Sequence, residues 1–297
     1  MESFITACAD GGEIALTLHG GKAGTSPVVV IHPATAVRER MYHPFAGFLV
    51  EQGFRVITYN YRGVGAGAGL TQNRHLTMRN WMLDDAPAVQ DWAVRTLPGA
   101  PLLAIGHSLG GHAIGMGGKD SPLQAAVLIA SHAGALRLVR RRAERLRIGF
   151  LFRAVVPVAG RLSGCFPGKR LGVGENIPSV AMRDWGHWIL MRNYFFDDPT
   201  LDAAKRFAKV NFPLLSLGFE DDPWATPAAI DLLNCHFATS PPARRQIDPA
   251  RDGTGPVGHM GFFRDHHRNG LWTEVTDWLR QQAEAATTGP QRRATGG

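Results

Sequence analysis

Cysteine is scarce in this chain. Three residues, Cys8, Cys165 and Cys235, are scattered over 297 positions with no C-x-x-C pair. An odd, widely spaced set excludes a disulfide framework and gives no zinc-binding pattern, so a reducing compartment is the simpler expectation. Long apolar runs are also missing. The most apolar stretch, IGFLFRAVVPVAG at 148–160, is broken by Arg153 and Pro157 and is too short to cross a bilayer. The first residues, MESFITACADGG, carry Glu2 where a secretory signal would be basic, and no apolar core follows. A cytoplasmic protein without stable membrane insertion is expected. There is no internal repeat, and charged residues make up only 19% of the chain against 44% apolar. That balance belongs to a globular protein with no long disordered region.

The charge is uneven. The formal net charge is +7, but residues 133–210 alone hold 15 Lys and Arg against 6 Asp and Glu. The basic character therefore sits in one segment. It suits anionic substrates, an anionic membrane surface, or simply a solvated helix face. No recognition motif for nucleic acid accompanies it, and none is expected as a partner.

Short β-branched runs alternate with segments of helical spacing. The runs are PVVVIH (27–32), FRVITYNY (54–61), PLLAIGH (101–107), AAVLIA (125–130) and PLLSLGF (213–219). Apolar on both faces, they read as buried parallel strands covered by helices, for which 42–52 and 77–95 are candidates. Residues 3–8 and 13–18 read as an antiparallel hairpin, 244–249 as a last strand and 271–282 as a closing helix. The pattern predicts an α/β fold with a mostly parallel, eight-stranded sheet, its core formed by 1–132 and 211–285, and a frayed tail at 286–297. Between AAVLIA and PLLSLGF lie about 80 residues, far beyond an ordinary crossover. Residues 133–210 are thus a helical lid candidate, opening with a basic helix, RLVRRRAERLR at 137–147, and continuing through the aromatic stretch 184–196.

One motif carries chemistry. In GHSLGG (106–111) a serine sits between a strand and a helix, with glycines two positions to either side. A sharp turn there presents the Ser108 hydroxyl to open space in front of a helix N-terminus that can receive an anion. A hydroxyl needs a base, and imidazole, with an unperturbed pKa of ~6.5, suits the task. His259, in GPVGHMGFFRD between the last strand and the last helix, lies on a loop with glycines on both sides. His107 and His112 flank the serine but should point away from it; His187 is read as lid packing, and His266 and His267 as a solvated face rather than a metal site. The third member should orient the imidazole. Glu220, Asp221 and Asp222 follow PLLSLGF directly. Asp222 before Pro223 has the form of a helix N-cap, which leaves Asp221 as the expected acid and Asp222 as the alternative.

The order Ser108, Asp221, His259 resembles that of the α/β-hydrolase superfamily. Within it the chain is similar to the serine aminopeptidase and monoglyceride-lipase-like serine hydrolases, on IHPATAV (31–37), YNYRGVGAG (59–67), GHSLGG (106–111), GFEDDP (218–223) and GHMGFF (258–263). The first block has His32-Pro33 where His-Gly is usual; Asn60 stands for an aspartate and Ala66 for a serine. The resemblance implies an oxyanion hole built from the N–H of Leu109 and of Ala34 or Thr35, since Pro33 has none to give. It implies a serine hydrolase working through an acyl-enzyme, a carboxylester hydrolase of small or medium acyl esters before an acyltransferase, an aminopeptidase or amidase, or a non-catalytic binder of the same fold. No cofactor or metal is expected. The expected partner is a small-molecule acyl substrate, self-association into a homo-oligomer being left open. Trp185, Trp188 and Tyr194 of the lid candidate, beside Phe195 and Phe196, are expected to line the substrate pocket.

Overall fold

A computed structural model describes residues 1–288 apart from Ala66, Arg141, 158–163 and Val173. The strands of the main sheet are β1 (Glu2–Ala7), β2 (Glu13–His19), β3 (Val28–His32), β4 (Arg55–Tyr59), β5 (Leu102–His107), β6 (Ala125–Ile129), β9 (Leu214–Phe219) and β10 (Ala243–Ile247). A short antiparallel pair, β7 (Cys165–Phe166) and β8 (Ile177–Pro178), lies in the insertion. The main sheet has eight strands in the order β1-β2-β4-β3-β5-β6-β9-β10. β1 and β2 pair antiparallel, as do β2 and β4, and every other neighbour is parallel. The expected mostly parallel sheet is therefore present.

The parallel strands β3, β4, β5, β6 and β9 are buried at every residue. This is why their sequences read as unbroken apolar runs and not as alternating ones. One face is covered by the helix His43–Glu51, through Phe45 and Leu49, and by the π turn Arg268–Trp272 with the helix Thr273–Thr288 after it, through Trp272 and Leu279. The other is covered by Ala86–Thr96 and Leu109–Gly117, through Val89, Trp92, Ala113 and Ile114. The expected helix over 77–95 is interrupted: after Met78–Asn80 comes a wide π turn, Trp81–Asp85, before Ala86–Thr96. That turn sends the Asp85 carboxylate to Arg62, whose Nε lies 2.6 Å from it while both terminal nitrogens grip Asp10 at 2.8 and 2.9 Å. The buried guanidinium is thereby fully paired, as a buried charge must be.

Three other expectations change. Residues 137–147 do not form one basic helix; a 3-10 turn at Leu136–Leu138 precedes a helix over Arg142–Phe150, and Arg141 is outside the described residues. The last helix runs on to Thr288, so residues 286–288 are helical, while 289–297 lie outside the described residues. His267, expected on a solvated face, is buried.

The helix that begins at Leu109 is set very close to the sheet. A Cβ on Gly110 would lie 2.1 Å from the His32 carbonyl oxygen, and one on Gly106 would lie 2.5 Å from the Gly110 carbonyl carbon. Neither contact is possible, so glycine is required at both. Gly110→Ala is expected to lower stability by about 1–3 kcal/mol or to prevent folding, because backbone on both sides has no room to move. Urea unfolding of the variant measures this, and an unchanged midpoint would contradict it.

Candidate active site

Ser108 stands between β5 and the helix Leu109–Gly117 with φ 51 and ψ −109, a conformation rare outside glycine. The turn is held by the Ser108 N–H donating to the Ile129 carbonyl and the Gly111 N–H to the Ser108 carbonyl. It places Oγ at the edge of a cavity of about 280 Å³ above the C-terminal ends of the strands. His259 arrives on the loop after β10. Its Nε2 is 3.1 Å from Ser108 Oγ and its Nδ1 is 2.7 Å from Asp222 Oδ2.

The carboxylate against the ring thus belongs to Asp222, the alternative, and not to Asp221, the expected acid. Asp221 instead accepts the Val257 N–H at 2.8 Å through Oδ2. Asp222 is not the helix cap that was expected: Thr226 caps the helix Pro227–Asn234, its hydroxyl accepting the Ala229 N–H, while Asp222 Oδ1 holds the turn before it, accepting the N–H of Trp224 at 2.8 Å and of Ala225 at 3.0 Å. Burial pushes the Asp222 carboxyl upward, but the facing His259 and the hydrogen bonds to the carboxylate outweigh it and hold the pKa at about 2. The group is ionised at neutral pH.

The remaining sequence candidates divide. Leu109, Thr35 and Ala34 all line the cavity. Leu109 opens a helix, where the first N–H groups have no carbonyl within the helix to bond. The Ala34 N–H, however, donates to the Tyr42 hydroxyl at 2.8 Å, which removes Ala34 as the expected oxyanion donor and leaves Thr35. Trp185 and Tyr194 line the cavity, whereas Trp188 is buried elsewhere, its indole N–H donating to Asp198 at 2.9 Å. His187 is exposed. Sequence reading missed Trp224, Met260, Val37 and His132 in the lining, although Trp224 and Met260 are close neighbours of residues it singled out.

His107, expected to point away from the serine, does so to a purpose. Its Nε2 donates to the His259 carbonyl at 2.8 Å, which leaves Nδ1 to accept from the Tyr42 hydroxyl at 3.0 Å. Since Tyr42 in turn accepts from Ala34, one directional chain joins the β3 loop to the backbone of His259. Among the described residues no group of three or more His, Cys, Asp or Glu is placed to hold a metal ion, and no helix is long and apolar enough to cross a membrane.

Residues 25–164 match the family model described as serine aminopeptidase, S33. The chain is 25% identical over 292 residues to mouse phospholipase ABHD3, covering 91% of this chain and 67% of that protein. Among solved structures, an esterase of Exiguobacterium antarcticum is 15% identical with a TM-score of 0.59, covering 94% of this chain and 98% of its own. A monoacylglycerol lipase of Paleococcus ferrophilus is 16% identical with a TM-score of 0.59, covering 91% and 100%. At such identities the structures speak for the fold.

Two predictions arise here. Tyr42→Phe leaves the Ala34 N–H and His107 Nδ1 without partners and is expected to cost about 1–3 kcal/mol, read from the denaturant midpoint. The second concerns pH. Burial lowers His32, His107 and His112 to about 3, and His19 and His132 to about 4. Unfolded, these rings take up protons near ~6.5, so below that value the unfolded chain binds more protons than the folded one. Thermal stability should hold above about pH 7 and fall steadily as pH drops from ~6.5 toward 4. A melting temperature that stays level over that interval would refute the assignment of these rings as neutral.

Proposed function

We propose that the chain, whose fold is that of the α/β-hydrolases, is a serine carboxylester hydrolase of that superfamily, acting on small or medium acyl esters through an acyl-enzyme. The observation that carries this reading is the pair of contacts made by one ring, 3.1 Å from His259 to the Ser108 hydroxyl and 2.7 Å to the Asp222 carboxylate.

In this reading Ser108 Oγ attacks the ester carbonyl carbon while its proton passes to His259 Nε2. Asp222 keeps the other ring proton on Nδ1 and stabilises the imidazolium that forms. The carbonyl oxygen, now an anion, is received by the N–H groups of Leu109 and Thr35. When the tetrahedral species collapses, the carbon–oxygen bond to the alcohol breaks and Nε2 returns the proton to that oxygen. Water then attacks the acyl-serine, gives a proton to Nε2, and the carboxylic acid leaves as Oγ recovers it. The segment over 133–210 acts as a lid, supplying Gly172, Gly174, Trp185 and Tyr194 to the cavity wall.

A peptidase reading draws on the family model, which carries an aminopeptidase description. An aminoacyl substrate brings an ammonium group that needs a carboxylate partner when desolvated. The described residues of the cavity wall include no Asp or Glu, and its surface is mainly aromatic, aliphatic and neutral histidine. This favours an ester with uncharged arms.

Ser108→Ala should abolish labelling by a fluorophosphonate probe and remove about 10⁶-fold of the turnover of p-nitrophenyl esters. Asp222→Asn should reduce turnover about 10⁴-fold, as expected when the orienting carboxylate is lost. Asp221→Asn should stay close to the parent. Persistent labelling without Ser108, or a severe loss at Asp221 alone, would overturn the assignment. Aminoacyl p-nitroanilides run beside the esters decide between the two reactions.

A further inference from the structure

The cavity beside Ser108 ends on an aromatic wall. Trp185, from the helix Ser179–Leu190, and Trp224, two residues beyond Asp222, lie with ring centroids 5.9 Å apart and planes 30° apart. Both rings, with His132, also border a second hollow of about 10 Å³ on their other side. The rest of that hollow is lined by small or aliphatic residues, Ala133, Ala135, Val139, Ile148, Ile189 and Ala229 among them. A space of that size is at the limit for a single water. The two hollows have three lining residues in common and differ in character. The one at Ser108 carries the polar groups of the reaction, while the one behind the wall is almost wholly apolar.

We propose that the Trp185–Trp224 pair sets the length of ester chain the site accepts, and that the apolar hollow behind it is a subsite for alkyl carbons that the pair keeps closed. The inference rests on the carboxylester hydrolase reading above. The wall is well braced: Trp185 meets Phe152 edge to face at 5.2 Å, and Gly186 makes room for that ring, since a Cβ there would lie 2.8 Å from Phe152. A braced indole has no low-cost route out of the way of a longer chain. Behind it, Ala133, Ala135 and Ala229 line a hollow that shares Trp185, Trp224 and His132 with the cavity at Ser108. The two tryptophans are not equivalent as targets. The Trp224 N–H is held by Asp222 at 2.8 Å, so changes at Trp224 also disturb the acid, whereas Trp185 touches none of Ser108, Asp222 and His259 through a hydrogen bond that positions them.

The test is a chain-length profile of the full-length enzyme and its Trp185→Ala variant. Two series are used, p-nitrophenyl esters from acetate to laurate and acetates of straight-chain alcohols of rising length, so that either arm of the ester can reveal the wall. Trp185→Ala is expected to raise the ratio of kcat/KM for the long over the short member of one series by about tenfold or more, since each methylene accommodated is worth roughly 10-fold or above. The ratio is taken within each variant, so a general change of turnover leaves the profile readable. Trp185→Leu, a smaller perturbation, should move the profile in the same direction by less, and it serves where the alanine variant does not fold. Parental profiles in both series, from a variant that still hydrolyses the shortest ester, would overturn the wall. A parent enzyme that labels with fluorophosphonate yet turns over no ester in either series would instead overturn the reaction assignment, and this inference with it.

Discussion

The site depends on how closely a helix can approach the ends of two strands. Residues 106–111 turn from β5 into the helix so tightly that Gly110 rests on the His32 carbonyl, Gly106 on the backbone of Gly110 and Gly111, and Gly111 on the Ser131 side chain. Any side chain at these positions would hold the helix off the sheet. Ser108 takes the strain of the arrangement in its own backbone, at φ 51. Such a conformation costs of order 1–3 kcal/mol for a residue with a side chain, and it persists only where the surroundings enforce it. The return is positional. Oγ projects into the cavity, and the helix N-terminus behind it faces the place where negative charge would develop.

The loop that carries His259 is fixed by a different means, through polar contacts from several elements. Asp221 takes the Val257 N–H, Asp222 takes Nδ1 of the ring, and His107 takes the His259 carbonyl. The Gly261 N–H closes the loop on the Val257 carbonyl, and Phe262 and Phe263 are buried beyond it. Consecutive aspartates thus hold two points of one loop. The ring itself lies between His132, edge-on at 5.4 Å, and Trp224 at 6.4 Å. His107 and His132 are kept neutral by burial, so the ring is surrounded by imidazoles that do not compete with it for a proton.

Much of this was legible in the chain because burial on two faces writes itself as apolar runs. The strands from Val28 to Phe219 follow from that alone, and the glycines around Ser108 mark a turn that admits no side chains. Ser108 and His259 could be picked out by their places at the ends of elements. Which of two adjacent aspartates meets the ring could not. The expectation assigned one duty to each carboxylate, helix capping to Asp222 and the imidazole to Asp221. The helix is capped by Thr226 instead, and Asp222, with two oxygens to use, spends Oδ1 on the turn at Trp224 and Ala225 and Oδ2 on the ring. Asp221, on the exposed side of the turn, accepts the Val257 N–H instead. The Ala34 donor failed for a related reason: its partner, the Tyr42 hydroxyl, comes from eight residues further on, and nothing in local spacing announces that bond.

The insertion was harder to read because its residues answer to the cavity and not to a repeating element. Trp185 and Trp188 lie three apart on one helix, yet Trp185 meets Trp224 at the cavity while Trp188 is anchored inside by Asp198. Helical spacing places such residues side by side, but what each one meets depends on how the helix packs against its neighbours. That packing is tied to contacts with distant segments. Glu175 donates its N–H to the Ala36 carbonyl, and Gly174 sits so close that a Cβ would lie 2.8 Å from the same oxygen. The insertion is therefore docked on the β3 loop next to Thr35, which lines the cavity. Its placement is thus fixed at one end by Gly174 and Glu175 against Ala36 and at the other by Trp185 against Trp224, on opposite sides of the same cavity lining.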